Sequence, residues 1–188
     1  MNMPNLIGDL MSNNLPKRKN IRLKDHDYSS AGYYFITICT HEKRSLLGSV
    51  GVDSISARMT LNNAGKMVSD TLAKVFDSFE NATLDKYVIM PNHIHMIIIL
   101  SYSNEKGSSR ADMESAPTVA DIVQSFKRYS TIKYIAGVKT GIYPSFDRHI
   151  WQRSYHDHVI RNEQTYQNIW QYIDNNPATW KDDRYYTQ

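Results

Sequence analysis

The sequence predicts an α+β fold: a ferredoxin-like split βαβ sandwich, an antiparallel sheet with helices on one face, plus an added C-terminal helix carrying a tyrosine. Three observations predict it. Residues 87–100 are the most apolar stretch of the chain and read as a central strand. Two longer stretches, starting near residues 61 and 118, repeat apolar side chains at the three-to-four spacing of a helix. In chain order the candidate elements run strand, helix, strand, strand, helix, strand, which is the order of that sandwich.

At 188 residues the chain is long enough to bury one core, and residues 21–188 read as a single domain. Residues 1–20 end in Lys17-Arg18-Lys19 and carry no period, so they read as a flexible basic arm, either solvated or touching phosphates. Residues 33–40 are rich in aromatic and β-branched residues and form the first strand, with Cys39 a small buried apolar side chain. Residues 41–60, with Gly48 and Gly51, read as a loop with a minor hairpin. Leu61, Ala64, Met67, Val68, Leu72, Val75, Phe76 and Phe79 then line one face of a helix that Gly65 weakens. A strand over residues 83–90 leads through Pro91-Asn92 into the histidine strand, and Pro91 marks a bend or bulge there.

Residues 101–117 have the composition of a mobile loop. Thr118 and Asp121 resemble a capping box, and Val119, Ile122, Val123, Phe126 and Tyr129 form the buried stripe of the helix that follows. Lys127, Arg128 and Lys133 lie off that stripe, on a solvated face or against nucleic-acid backbone. Residues 148–160 read as a last strand or extended segment, and a final helix runs from Arg161 or Asn162 to about Asn175.

Composition bounds the function. The net charge of +3 permits a nucleic-acid partner without demanding one. Thirteen tyrosines suit stacking on unpaired bases, although most belong to core and ordinary surface. With one cysteine there is no intrachain disulfide and no Cys-based zinc site, which fits a cytoplasmic protein. Residues 88–100 are too short and too polar to span a membrane, so the expectation is a soluble protein with no membrane partner.

The chemistry centres on His93 and His95. Alternate residues of a strand share a face, so two imidazoles stand about 7 Å apart at the backbone and can converge on one ion or phosphate. The bland alternative is a half-buried sheet face with two hydrogen-bonded histidines. In the final helix Tyr166, Ile169, Trp170 and Ile173 make one apolar stripe, and Tyr172 lies roughly 110° from its centre. Asn176 is i+4 from Tyr172 and shares its flank, while Pro177 loosens the last turn.

Three stretches carry a resemblance: Met90-Pro-Asn-His-Ile-His95, Ile150-Trp-Gln-Arg-Ser-Tyr-His-Asp-His-Val-Ile-Arg-Asn-Glu163 and Tyr172-Ile-Asp-Asn-Asn-Pro177. In this order they resemble the single-tyrosine HUH transposases, in particular the REP-associated tyrosine transposase group, where HUH denotes His, a hydrophobic residue, His. The likeness runs from about residue 22 to Trp180. It implies a ferredoxin-like nuclease that cuts single-stranded DNA at palindromic repeat or hairpin elements, working as a monomer or homodimer. By motif it implies His93 and His95 as metal ligands, Asn176 as a third ligand, Tyr172 as the nucleophile and Mg2+ or Mn2+ as the ion. Members often carry two aromatics where this chain has Tyr155-His156. Tyr155 is the rival nucleophile, but it lacks an i+4 oxygen ligand and precedes the helix. His158 and Asp157 are either supporting or DNA-contacting groups or structural residues, and the base for the tyrosine is not evident. Two other readings stand beside this one: a metal-dependent hydrolase using water, and a non-catalytic hairpin DNA-binding protein.

Overall fold

A computed structural model describes residues 31–52, 57–101 and 117–187. The basic arm, the 22–28 stretch and nearly all of the 101–117 loop therefore lie outside the described residues. The strands are β1 (Gly32–Cys39), β2 (Gly48–Val52), β3 (Ala57–Leu61), β4 (Ala82–Ile89), β5 (His93–Leu100) and β6 (His156–Ile160). The helices are α1 (Asn63–Phe76), α2 (Val119–Lys139) and α3 (Glu163–Asn175).

The main sheet has the order β4-β5-β1-β6, and every neighbouring pair is antiparallel. With α1 between β1 and β4, and α2 between β5 and β6, this is the expected ferredoxin-like arrangement. The hairpin β2-β3 is a separate two-stranded sheet inserted before α1, which gives the minor hairpin its place.

Strand alternation divides the sheet into two faces. Tyr34, Ile36 and Ile38 of β1 and Ile94, Met96, Ile98 and Leu100 of β5 join Val68, Leu72 and Val75 of α1 and Ile122, Val123 and Phe126 of α2 in the main core. On the other face Ile97 and Ile160 pack with Ile173, flanked by Phe35, Val88, Tyr166, Ile169 and Trp170. The two core helices thus share one face, as expected, and the added helix α3 covers the opposite one.

Local chemistry explains the helix ends. The Asn62 side chain accepts from Gly65 N at 2.9 Å, so α1 starts two residues later than the apolar spacing suggests, because Leu61 is still in β3. Gly65 has a use there: a Cβ would stand 2.0 Å from the Leu47 carbonyl oxygen, so only glycine lets the helix pass under residue 47. Thr118 and Asp121 form a complete capping box.

Two readings of α2 need correction. Tyr129 is 51% exposed, and the stripe continues instead through Ser130, Tyr134 and Gly137, which stay in phase at 3.6 residues per turn while Tyr129 drifts about 80° aside. Lys127 is not on a solvated face. Its Nζ donates to the Gln152 and Ser154 carbonyls at 2.8 and 3.0 Å, and burial pushes its pKa down to about 8. Lys133 donates to Thr71 Oγ1 at 3.0 Å, which ties α2 to α1.

Of residues 148–160 only β6 is a strand. Trp151 makes an isolated bridge to Thr40, and its Nε1 donates to Ser130 Oγ at 2.9 Å, pinning the segment before β6 to α2. Among the described residues no helix is long and apolar enough to cross a membrane.

Candidate active site

His93 and His95 lie on the α3 face of β5, 0% and 1% exposed, with ring centroids 4.4 Å apart. Their hydrogen bonds orient them. Asn92 Nδ2 donates to the carbonyls of Lys43 and Tyr185, at 3.1 and 2.8 Å, which leaves Asn92 Oδ1 facing His93 Nδ1 at 2.9 Å. An amide oxygen only accepts, so Nδ1 carries the proton and Nε2 presents a lone pair. His95 Nδ1 meets Thr37 Oγ1 of the neighbouring strand at 2.8 Å.

Burial sets the charge state. It pushes His93 down to about 4, although the Asp183 carboxylate and the Asn176 side chain oppose the shift. His95 is held well below its usual value by burial and by the neighbouring His93. Both rings are neutral at pH 7, the state in which imidazole ligates a metal.

Helix α3 brings up the remaining sequence-identified residues. Tyr172, 39% exposed at the rim, places its hydroxyl 3.2 Å from His95 Nε2. Asn176 is wholly buried one turn on and keeps helical φ/ψ of −56° and −39° despite the following proline. The four residues singled out by pattern, His93, His95, Tyr172 and Asn176, therefore stand together.

A fifth member, Asp183, was not found from sequence. Its Oδ2 accepts from Asn176 Nδ2 at 2.6 Å and from the Tyr172 hydroxyl at 3.1 Å. Asp183 follows the 3-10 turn Trp180–Asp182 in a polar segment with no period, so only tertiary folding reveals it. Burial and the Asp183 charge push the Tyr172 pKa up, holding the phenol protonated.

The donor set fits a divalent cation. One ligand atom from each of His93, His95 and Asp183 lies within 4.8 Å of the others. Two buried atoms here, His93 Nε2 and Asn176 Oδ1, lack a hydrogen-bond partner among the described residues, and both are lone-pair donors of the kind a cation satisfies.

Residues 180–187 close the site. The Tyr185 ring, 4% exposed, lies 4.7 Å from His93 and 5.5 Å from His95. Its segment is held by Asn92 Nδ2 on the Tyr185 carbonyl and by Lys43 Nζ on the Arg184 carbonyl at 2.9 Å.

The other candidates stand elsewhere. The Tyr155 ring packs against the main core with Lys127 Nζ 5.8 Å from its centroid. Asp157 pairs with Ile36, so by strand alternation it turns away from the histidines. His158 is exposed on the α3 face, opposite Phe35.

No family model matches the chain. An uncharacterized protein of Haemophilus influenzae is 35% identical to it over 182 residues, which span 90% of this chain and 93% of that protein. A solved REP-associated tyrosine transposase bound to a REP hairpin is similar in structure, with a TM-score of 0.50 over 85% of this chain and 74% of the other, at 20% identity. At that identity the likeness is one of fold, and the fold is transposase-like.

Proposed function

We propose that this chain, which belongs to one family with the uncharacterized Haemophilus influenzae protein, is a metal-dependent single-stranded DNA endonuclease and strand transferase acting at palindromic repeat or hairpin DNA through Tyr172. The observation that carries this reading is the Tyr172 hydroxyl standing 3.2 Å from His95 Nε2, at the rim of the buried histidine pair. The transposase-like fold and its hairpin-bound neighbour support it.

His93, His95 and Asn176 would hold the ion, with Asp183 in reach as a further oxygen donor. A bound Mg2+ or Mn2+ supplies polarisation of a non-bridging phosphate oxygen. Tyr172 Oη attacks phosphorus; the Oη–P bond forms and the P–O3′ bond breaks. The products are a 5′-phosphotyrosine and a 3′-hydroxyl strand that takes up a proton. For the tyrosine proton two acceptors lie close, His95 Nε2 at 3.2 Å and Asp183 Oδ2 at 3.1 Å. The Tyr172 hydroxyl donates to Asp183 Oδ2, which makes that carboxylate the proton acceptor. Tyr172, exposed at the rim, is the member of the site that a DNA phosphate meets first.

Asp183 also favours a second reading, since two histidines and a carboxylate are the ligand set of water-activating metallohydrolases. Denaturing electrophoresis after incubation with single-stranded hairpin-flanking DNA and Mg2+ or Mn2+ separates the readings. A protein–DNA adduct is expected from the parent and from Tyr155→Phe, and none from Tyr172→Phe, which still binds DNA. Loss of the adduct in Tyr155→Phe with its survival in Tyr172→Phe overturns the nucleophile; cleavage without an adduct establishes the hydrolase; binding alone establishes a recognition protein.

A further inference from the structure

Strand β6 lays a second pair of histidines beside the site. Thr37 of β1 pairs with His95 on one side and His156 on the other, so these three residues form a row across three strands. One step along, Phe35 pairs with Ile97 and His158. Among the described residues nothing covers the β6 edge of this face, where His156 and His158 are exposed. There Phe35, Thr37, His156, His158, Asn168 of α3 and Arg184 line an open cleft of about 430 Å³. That volume falls in the range of about 300–1,000 Å³ usual for small-ligand clefts.

The cleft is continuous with the candidate active site. Phe35 forms part of its wall and stands edge-on to Tyr172 with centroids 6.1 Å apart, and 5.3 Å from His95. Thr37 is the hydrogen-bond partner that orients His95. The polar lining is cationic or neutral except for Asp157, which strand alternation turns to the other face. His156, His158, Asn168 and Arg184 are all exposed. Gln164 Nε2 donates to Asn168 Oδ1 at 3.0 Å, which fixes the orientation of the amide and marks its nitrogen as the donor end.

We infer that this cleft holds one unpaired nucleotide of the strand whose phosphate faces Tyr172. An aromatic side chain suits the π-face of a base, an amide donor suits an acceptor on the base edge, and imidazole and guanidinium groups suit the adjoining phosphate. The inference rests on the strand-transfer reading above and adds to it a named set of substrate-binding residues.

Fluorescence anisotropy with a short labelled oligothymidylate tests it on the full chain. His158→Ala combined with Asn168→Ala weakens binding about tenfold, the loss expected for one base contact. Arg184→Gln weakens it as well, while Gln167→Ala, outside the cleft, leaves it unchanged. In the hairpin-flanking strand used for the adduct assay, removing the base beside the cut costs the parent a similar factor and the double variant nothing. Parent-like affinity in both the double variant and Arg184→Gln overturns the cleft as a subsite while leaving any adduct chemistry intact. Weakened binding in these variants, with no adduct from the parent, supports the cleft and removes the strand-transfer reading instead. An absence of oligothymidylate binding by the parent overturns the cleft outright.

Discussion

The two faces of β5 are equally dry and opposite in purpose. Ile94 and Met96, 0% and 1% exposed, look toward α1 and α2, and His93 and His95, also 0% and 1% exposed, look toward α3. Burial alone does not separate a core from a site; the partners do. On the α1/α2 side β5 meets hydrocarbon. On the α3 side it meets an amide, two hydroxyls and a carboxylate, and two lone-pair atoms there, on His93 and Asn176, have no hydrogen-bond partner among the described residues. One face stabilises, and the other bears a desolvation penalty in order to hold neutral imidazoles in place.

Substitutions on each face break that contrast in turn, beginning with the largest effect. Replacing both His93 and His95 by alanine lowers the rate of adduct formation at least a thousandfold, about 4 kcal/mol in barrier terms; quench-timed gels read this directly. On the other face Ile36→Ala costs about 2–5 kcal/mol of stability, measured by urea unfolding, with the rate per folded molecule unchanged. Acid probes the histidine face alone. The His93 pKa is about 4 in the folded protein against 6.5 unfolded, so below pH 6.5 the unfolded chain binds the proton that the folded one refuses. Stability is therefore full above pH 6.5 and falls as pH drops toward 4. The loss is on the order of 3 kcal/mol for this group, and His95 adds in the same direction. Urea melts in chelator at pH 7 and pH 4.5 measure it, and a flat profile would show that the folded rings take up protons as readily as the unfolded ones. Asn92→Ala is the subtlest change: it frees the His93 tautomer and lowers metal affinity about 10–100-fold, read by titration calorimetry with Mn2+.

Much of this division was legible beforehand. Alternation along His93-Ile-His-Met-Ile-Ile-Ile-Leu100 assigns each residue to its face, and an i+4 spacing places Asn176 beside Tyr172. Three features were not legible, for physical reasons. Asp183 reaches the histidines through a 3-10 turn and an extended segment, neither of which has a period that fixes a side chain's direction. Lys127 reads as a surface cation because nothing local announces that residues 152–154 return to cap it with carbonyls. Tyr129 fits an i+3 step from Phe126, but over 21 residues the 3.6-residue turn keeps Ser130 and Tyr134 on the core side instead.

The attachment of α3 has a consequence for heat. This helix buries one residue fully, Ile173, against seven on α1 and seven on α2. Its other ties to the sheet include the Lys86–Asp174 pair at 2.5 Å and Lys86 Nζ 3.7 Å from the Trp170 ring centroid, both partly open to water. An element held so lightly opens at a lower free energy than the sheet beneath it. The expected outcome on warming is that the tyrosine parts from the histidines while the sandwich is still folded, so that adduct formation assayed against temperature falls, reversibly, below the melting point read by circular dichroism.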